Sequence, residues 1–274
     1  MISVLNSVSQ LGAENALSST QASLQNTLLQ LSTGLKINSG SDDAAGLSIA
    51  SGLGASISAL TQSSQNAANG IGFAQTADGA LSQVTSLLNR AVTLATEAAN
   101  GGLTADQATA AQAEYTSILT EIGTIGSTTN FNGASVFTAD GNTVFTSDGT
   151  AAGNSTVTVT PGVLTAAGLG LSSAATALTS TTTATAELAA ITKAIDTVSA
   201  TRGSIGASVN QLTAAENVEN TQVTNLTSAQ NSVQNADISS TVAKMTQYNV
   251  LEQTGMAALS QSNQAQQAVL KLLQ

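Results

Sequence analysis

ISSTVAKMTQYNVLEQTGMAALSQSNQAQQAVLKLLQ, residues 238–274, holds no proline, and positions 238, 242, 245, 249, 252, 256, 259, 263, 266, 270 and 273 step alternately by four and three. Seven of those eleven are apolar (Ile238, Val242, Met245, Met256, Leu259, Leu270 and Leu273), the spacing of a helix that lies along another helix. One such seam does not carry the helix: a buried apolar side chain contributes about 1.5–3 kcal/mol, and ordering each backbone costs about 1–2 kcal/mol. Tyr248, Leu251, Ala258, Val269 and Leu272 lie off the seam with almost no charge among them. The stretch therefore predicts a docking surface that partners complete.

The opposite end of the chain has a matching helix. From Ser3 the chain reads as helix, Leu24, Leu28, Leu31 and Leu35 stepping by four, three and four with Leu17 a heptad before Leu24, and Gly34 marks its end or a kink. Asn38, Ser39, Gly40 and Ser41 form a turn, and Asp42 or Asp43 caps a helix starting near Ala44. Residues 44–100 predict one long helix through Ile57, Leu60, Ala67, Ile71, Ala74, Leu81, Val84, Leu88 and Ala95, stopped by Asn100, Gly101 and Gly102. Thr104 caps a further helix with Ala111, Tyr115, Ile118, Ile122 and Ile125 on one face.

Beyond Thr128 the texture changes. Asp140 and Gly141 read as a two-residue hairpin turn between Phe137 and Val144, and Val157 and Val159 as a short strand before Pro161. Residues 146–186 are mostly Ser, Thr, Ala and Gly, which predicts a loosely packed insert or a solvated loop. Helical order returns near Ala186, where positions 191, 195, 198, 202, 205, 209, 212, 216, 219, 223, 226, 230 and 233 hold the same step. The fold class that follows is mainly α, with long antiparallel helices from both termini in a coiled-coil-like bundle and a small β-hairpin-containing central insert. The segments divide at 1–43, 44–137, 138–185, 186–237 and 238–274.

Composition excludes several function classes. The 274 residues carry no His and no Cys, which removes thiol nucleophiles, disulfides and nearly every zinc site. A net charge of −10, from six basic and sixteen acidic residues, opposes nucleic acid and anionic membrane surfaces. Only 8% of residues are charged, so the surface is built from neutral polar side chains and Ala, which suits lateral packing of like subunits. No run of apolar residues approaches a membrane span, and residues 1–30 lack the basic and apolar regions of a signal peptide. Asp42 and Asp43 read as capping groups rather than an acid–base pair, and the Gly-rich words lack the Lys of a phosphate loop. No catalytic residue, metal ligand or cofactor site is expected, and the chain is not read as an enzyme.

The same stretches, taken as words, resemble bacterial flagellin: LSTGLKINSGSDDAAGLSIA at 31–50, QNAANGIGFAQTADGAL at 65–81, FNGASVF at 131–137, RGSIGASVNQL at 202–212, NLTSAQNSVQNADIS at 225–239 and VLEQTGMAALSQSNQAQQAVLKLLQ at 250–274. The resemblance covers roughly 1–137 and 186–274 and is that of a short form with a reduced central region. It implies a secreted structural subunit of the extracellular flagellar filament, serving swimming motility. Residues 1–43 and 238–274 would form an inner coiled-coil layer, 44–137 and 186–237 an outer helical shell, and 138–185 the variable surface. The self-assembly seam is expected at Leu24, Leu28, Leu31, Ile238, Val242, Met245, Met256, Leu259, Leu270 and Leu273. The implied partners are further flagellin subunits in a homopolymer, an export chaperone on the C-terminal segment, and hook-associated junction and cap proteins. Arg90, Leu94 and Glu114 fall on positions similar to those that innate immune receptors recognise in the family. A hook–filament junction protein, or a subunit doubling as adhesin or immune ligand, is the alternative. The ends are expected to order only in the assembly.

Overall fold

The computed structural model describes residues 2–149, 155–174 and 176–272, with side chains described except at 2–7, 9, 266 and 269–272. Five helices account for most of the chain: α1 Ile2–Thr33, α2 Ala44–Ala99, α3 Ala105–Thr128, α4 Thr181–Gln234 and α5 Ile238–Leu272. Four short strands lie between α3 and α4: β1 Asn130–Phe131, β2 Ala134–Ser135, β3 Asn142–Phe145 and β4 Thr156–Val159. The chain divides into two compact units, one made of Met1–Ala55 with Asn225–Gln274 and the other of Ser56–Thr224.

In the first unit α1 packs against α5. The connections after α1 and after α4 are zipped together: Lys36 N donates to the Gln234 carbonyl at 2.8 Å, and Ala236 N donates to the Gly34 carbonyl at 2.8 Å. The loop before α2 is closed by both predicted aspartates. Asp42 Oδ2 accepts from the Asn38 and Ser39 amides, each at 2.9 Å, which holds its carboxyl below the ordinary aspartate range. Asp43 Oδ1 accepts from Gly46 N at 2.9 Å and caps the helix.

The second unit holds the core. Along α2 in this unit Leu60, Ser63, Ala67, Gly70, Ala74, Ala77, Leu81, Val84, Leu88, Ala91, Ala95 and Ala98 form a buried three–four alternation, with Phe73 and Leu94 buried beside it. Along α4 they are Ala184, Glu187, Ile191, Ala194, Val198, Ile205, Ser208, Leu212 and Glu219. The two helices run antiparallel, since Asp78 pairs with Arg202 and Ser63 with Glu219. On α3 the Thr104 hydroxyl and the Gln107 side chain close a reciprocal capping box, and its buried line of Ala111, Tyr115, Ile118 and Ile122 follows the predicted spacing. Helix α4 begins five residues before the predicted Ala186, where Ser180 Oγ meets the Thr183 amide and hydroxyl at 3.3 and 2.9 Å.

Two expectations for the middle of the chain are corrected. The tight hairpin turn is Asn132–Gly133 rather than Asp140–Gly141: both residues have positive φ, 50° and 80°, and they join β1 to β2. β3 instead pairs with the distant β4, Val144 opposite Val157 and Asn142 opposite Val159. The stretch after β4 is not a loose loop. Leu164, Leu171, Ala177 and Leu178 are all buried in the core, and Gly126 of α3 is there because the Leu164 carbonyl lies only 2.0 Å from where a Cβ would stand. Buried polar side chains fasten the same segment. Gln112 donates to the Ala174 carbonyl at 3.2 Å and accepts from Leu178 N at 2.7 Å. Glu187 Oε1 accepts from Ser172 N at 2.9 Å and from the Tyr115 hydroxyl. Burial, reinforced by Glu187, pushes that hydroxyl well above the usual tyrosine range, so it stays a donor.

By length and composition α2 is apolar enough to cross a membrane, contrary to the expectation from unbroken apolar runs. Its apolar character comes from alanines and isolated Ile, Leu and Val spread over 56 residues, and its second part lines the core just described.

Candidate assembly surface

The helices α1 and α5 meet along a narrow, largely polar line. On α1 the less exposed positions include Gln10, Ala13, Leu17, Thr20, Leu24, Thr27 and Leu31; on α5 they include Thr241, Met245, Tyr248, Glu252, Gly255, Leu259 and Ser262. Both sets step by three and four. Gln10 Nε2 donates to Asn263 Oδ1 and Gln21 Nε2 to Glu252 Oε1, each at 3.1 Å, so an eleven-residue advance on α1 matches an eleven-residue retreat on α5. Between these bonds a Cβ on Gly255 would stand 3.3 Å from Leu17 Cδ1, so the absence of a side chain there seats the leucine. Thr27 is 5% exposed and turns its hydroxyl back to the Ser23 carbonyl at 2.8 Å.

Of the residues expected at the seam, Leu24, Leu31, Met245 and Leu259 stand on this pairing line. Leu28, Ile238, Val242 and Met256 do not: they stand off this line and are 40–49% exposed. The side chain of Leu270 and all of Leu273 lie outside the described residues. Apolar periodicity passes over the polar Thr27 and the small Gly255, and Glu252, although on the four–three step, does not count toward the seam because it is charged. The line 241, 245, 248, 252, 255, 259, 262 is as regular as the more apolar one beside it, and only that regularity could have pointed to it.

The apolar surface of the two units is distributed in opposite ways. Among the described residues, ten of the thirteen exposed large hydrophobic side chains belong to the first unit: Val8, Leu11, Leu28, Leu29, Ile49, Ile238, Val242, Val250, Leu251 and Met256. Of the buried hydrophobic residues among those described, only Ile37 and Ala50 do.

The comparisons with known proteins fall on these same helices. The family model described as the bacterial flagellin N-terminal helical region matches residues 4–142, and that of the C-terminal helical region matches 188–273. The chain belongs to the bacterial flagellins. Flagellin of Salmonella muenchen is 43% identical over 135 residues, 49% of this chain and 26% of that protein. Flagellin of Serratia marcescens is 42% identical over 141 residues, 51% of this chain and 40% of that one. This flagellin thus spans about a quarter to two fifths of the length of those relatives. The crystal structure of Bacillus cereus flagellin is similar at 26% identity and a TM-score of 0.49, covering 56% of this chain and 88% of that one.

The residues expected at a receptor surface divide in two. Arg90 and Glu114 form a two-pronged pair on the outside of α2 and α3, Nε to Oε1 at 2.6 Å and Nη2 to Oε2 at 2.9 Å. The bond to Glu114 raises the guanidinium and lowers the carboxyl from their ordinary values. Leu94 is 3% exposed and packs into the core, which corrects its assignment to a contact surface. Among the described residues no group of three or more His, Cys, Asp or Glu could hold a metal ion.

Proposed function

We propose that this flagellin is the structural subunit of an extracellular flagellar filament, polymerising through α1 and α5 and serving swimming motility. The observation that carries the reading is the concentration of exposed apolar side chains on those helices, where the chain buries almost none of its own. Membership of the family supports it. The bonds between α1 and α5 within one chain are few and solvent-accessible, so the pair opens at small free-energy cost until neighbouring copies cover Ile238, Val242, Val250, Leu251 and Met256. The seam expected at Leu24, Leu31, Met245 and Leu259 then serves the pairing within a subunit, and Leu28, Ile238, Val242 and Met256 serve contacts between subunits.

The same strip on α5 is what an export chaperone would shield before secretion, and the ends of a filament would offer it to hook-associated junction and cap proteins. A receptor reading the outside of α2 and α3 would meet the Arg90–Glu114 pair rather than Leu94. Hydrogen exchange of the full chain before and after salt-induced polymerisation tests the main reading. Protection across residues 240–268 should be weak in monomer and strong in polymer; strong protection in the monomer counts against it. Electron microscopy of sheared filaments from a strain lacking this chain separates propeller subunit from junction protein, because loss of the propeller with normal hooks is expected.

A further inference from the structure

Among the described residues, one buried side-chain oxygen has no hydrogen-bond partner, and it belongs to Glu219. Glu219 is 3% exposed on the buried line of α4; its Oε2 meets no partner, while its Oε1 lies 2.6 Å from Ser63 Oγ of α2. Ser63 Oγ also lies 3.3 Å from the carbonyl of Phe145 at the end of β3. A hydroxyl carries one proton and two lone pairs. Were Glu219 a carboxylate, Ser63 could donate to only one of its two acceptors, and a charged oxygen would stay buried with nothing to meet it. As a carboxylic acid, Glu219 donates a hydrogen bond from Oε1 to Ser63 Oγ, and the Ser63 hydroxyl donates in turn to the Phe145 carbonyl. Both bonds then form, and Oε2 is a neutral carbonyl oxygen, far cheaper to desolvate than an anion.

We propose that the folded chain holds Glu219 as the acid in mildly acidic solution and that this proton fastens β3 to α2 and α4, so that attachment of the β3–β4 hairpin depends on pH. Glu219 meets Ser63 of α2, shares a pocket with Leu60 of α2, Thr146 and Asp148 on the hairpin side and Gln222 of α4, and feels the charge of Glu216 on its own helix. Of these, Glu216 is acidic and disfavours a further negative charge. Burial pushes the Glu219 carboxyl above the ordinary glutamate value of 4.5; the Ser63 bond opposes this and Glu216 adds to it. A raised folded-state value means that the stability due to this proton is present in full below the ordinary value and is lost as pH climbs through the folded one. This holds for the single chain whether or not it polymerises.

The test is carbon-detected NMR of the full monomeric chain labelled at its glutamate carboxyls, with Glu219→Gln to assign the resonance and amide exchange of residues 143–146 followed in parallel. The signal absent from the variant should titrate above 4.5. Hairpin exchange, corrected for its intrinsic pH dependence, should rise through that midpoint in the wild type and stay level in Glu219→Gln. A Glu219 midpoint at or below 4.5 overturns the proposal. So does hairpin exchange that passes unchanged through a raised midpoint.

Discussion

Met256→Ala separates contacts made within a subunit from contacts made between subunits. Met256 is 49% exposed on α5 and off the line that meets α1, so about half of its surface remains for a neighbour to cover. Full burial of such a side chain contributes about 1.5–3 kcal/mol, which leaves about 0.7–1.5 kcal/mol for the subunit interface. At 1.4 kcal/mol per decade, the critical concentration for polymerisation should rise about three- to tenfold. The stability of the monomer should move by less than about 0.5 kcal/mol, as for a surface substitution. Sedimentation of polymer from a concentration series gives the critical concentration, and thermal unfolding by circular dichroism gives the monomer. An unchanged critical concentration with a fall in monomer stability would show that Met256 packs inside the subunit, and the division of the seam would be refuted.

Tyr115→Phe removes a donor to the buried Glu187, a loss of about 1.5–3 kcal/mol in denaturant unfolding of the monomer. Gly126→Ala drives a Cβ against the Leu164 carbonyl and should cost about 1–3 kcal/mol, with proteolysis first appearing near residue 164. Arg202→Ala releases Asp78, whose carboxyl the Arg202 bond holds below its ordinary 3.8. The pair is partly exposed, so the loss at neutral pH is at most about 1 kcal/mol. In the wild type that contribution is present above pH 3.8 and disappears as pH falls through the lower folded-state value, so the two unfolding curves should converge in acid. Arg90→Ala should leave monomer stability almost unchanged because both partners are exposed, and a receptor-activation assay then reads recognition alone.

The heptad steps of 191, 198, 205, 212 and 219, the capping by Thr104 and Asp43 and the stop at Gly34 were legible in the chain because each is a local rule: a period, a cap, a backbone sign change. The family words at both ends identified a flagellin for the same reason, since they are contiguous in sequence. Pairing across distance was not legible. Nothing near Asn142 says that its strand partner is Val159, and Leu164, Leu171 and Leu178 stand among Ala, Ser and Thr until Gly126, Gln112 and Glu187 give them somewhere to dock. The choice of face on α5 was also tertiary: Thr27, Glu252 and Gly255 line the pairing with α1 while Ile238, Val242 and Met256 stay outside. Hydrophobic periodicity tells how much apolar surface a helix must hide, and only the packed structure tells which part its own chain hides and which part it leaves for another.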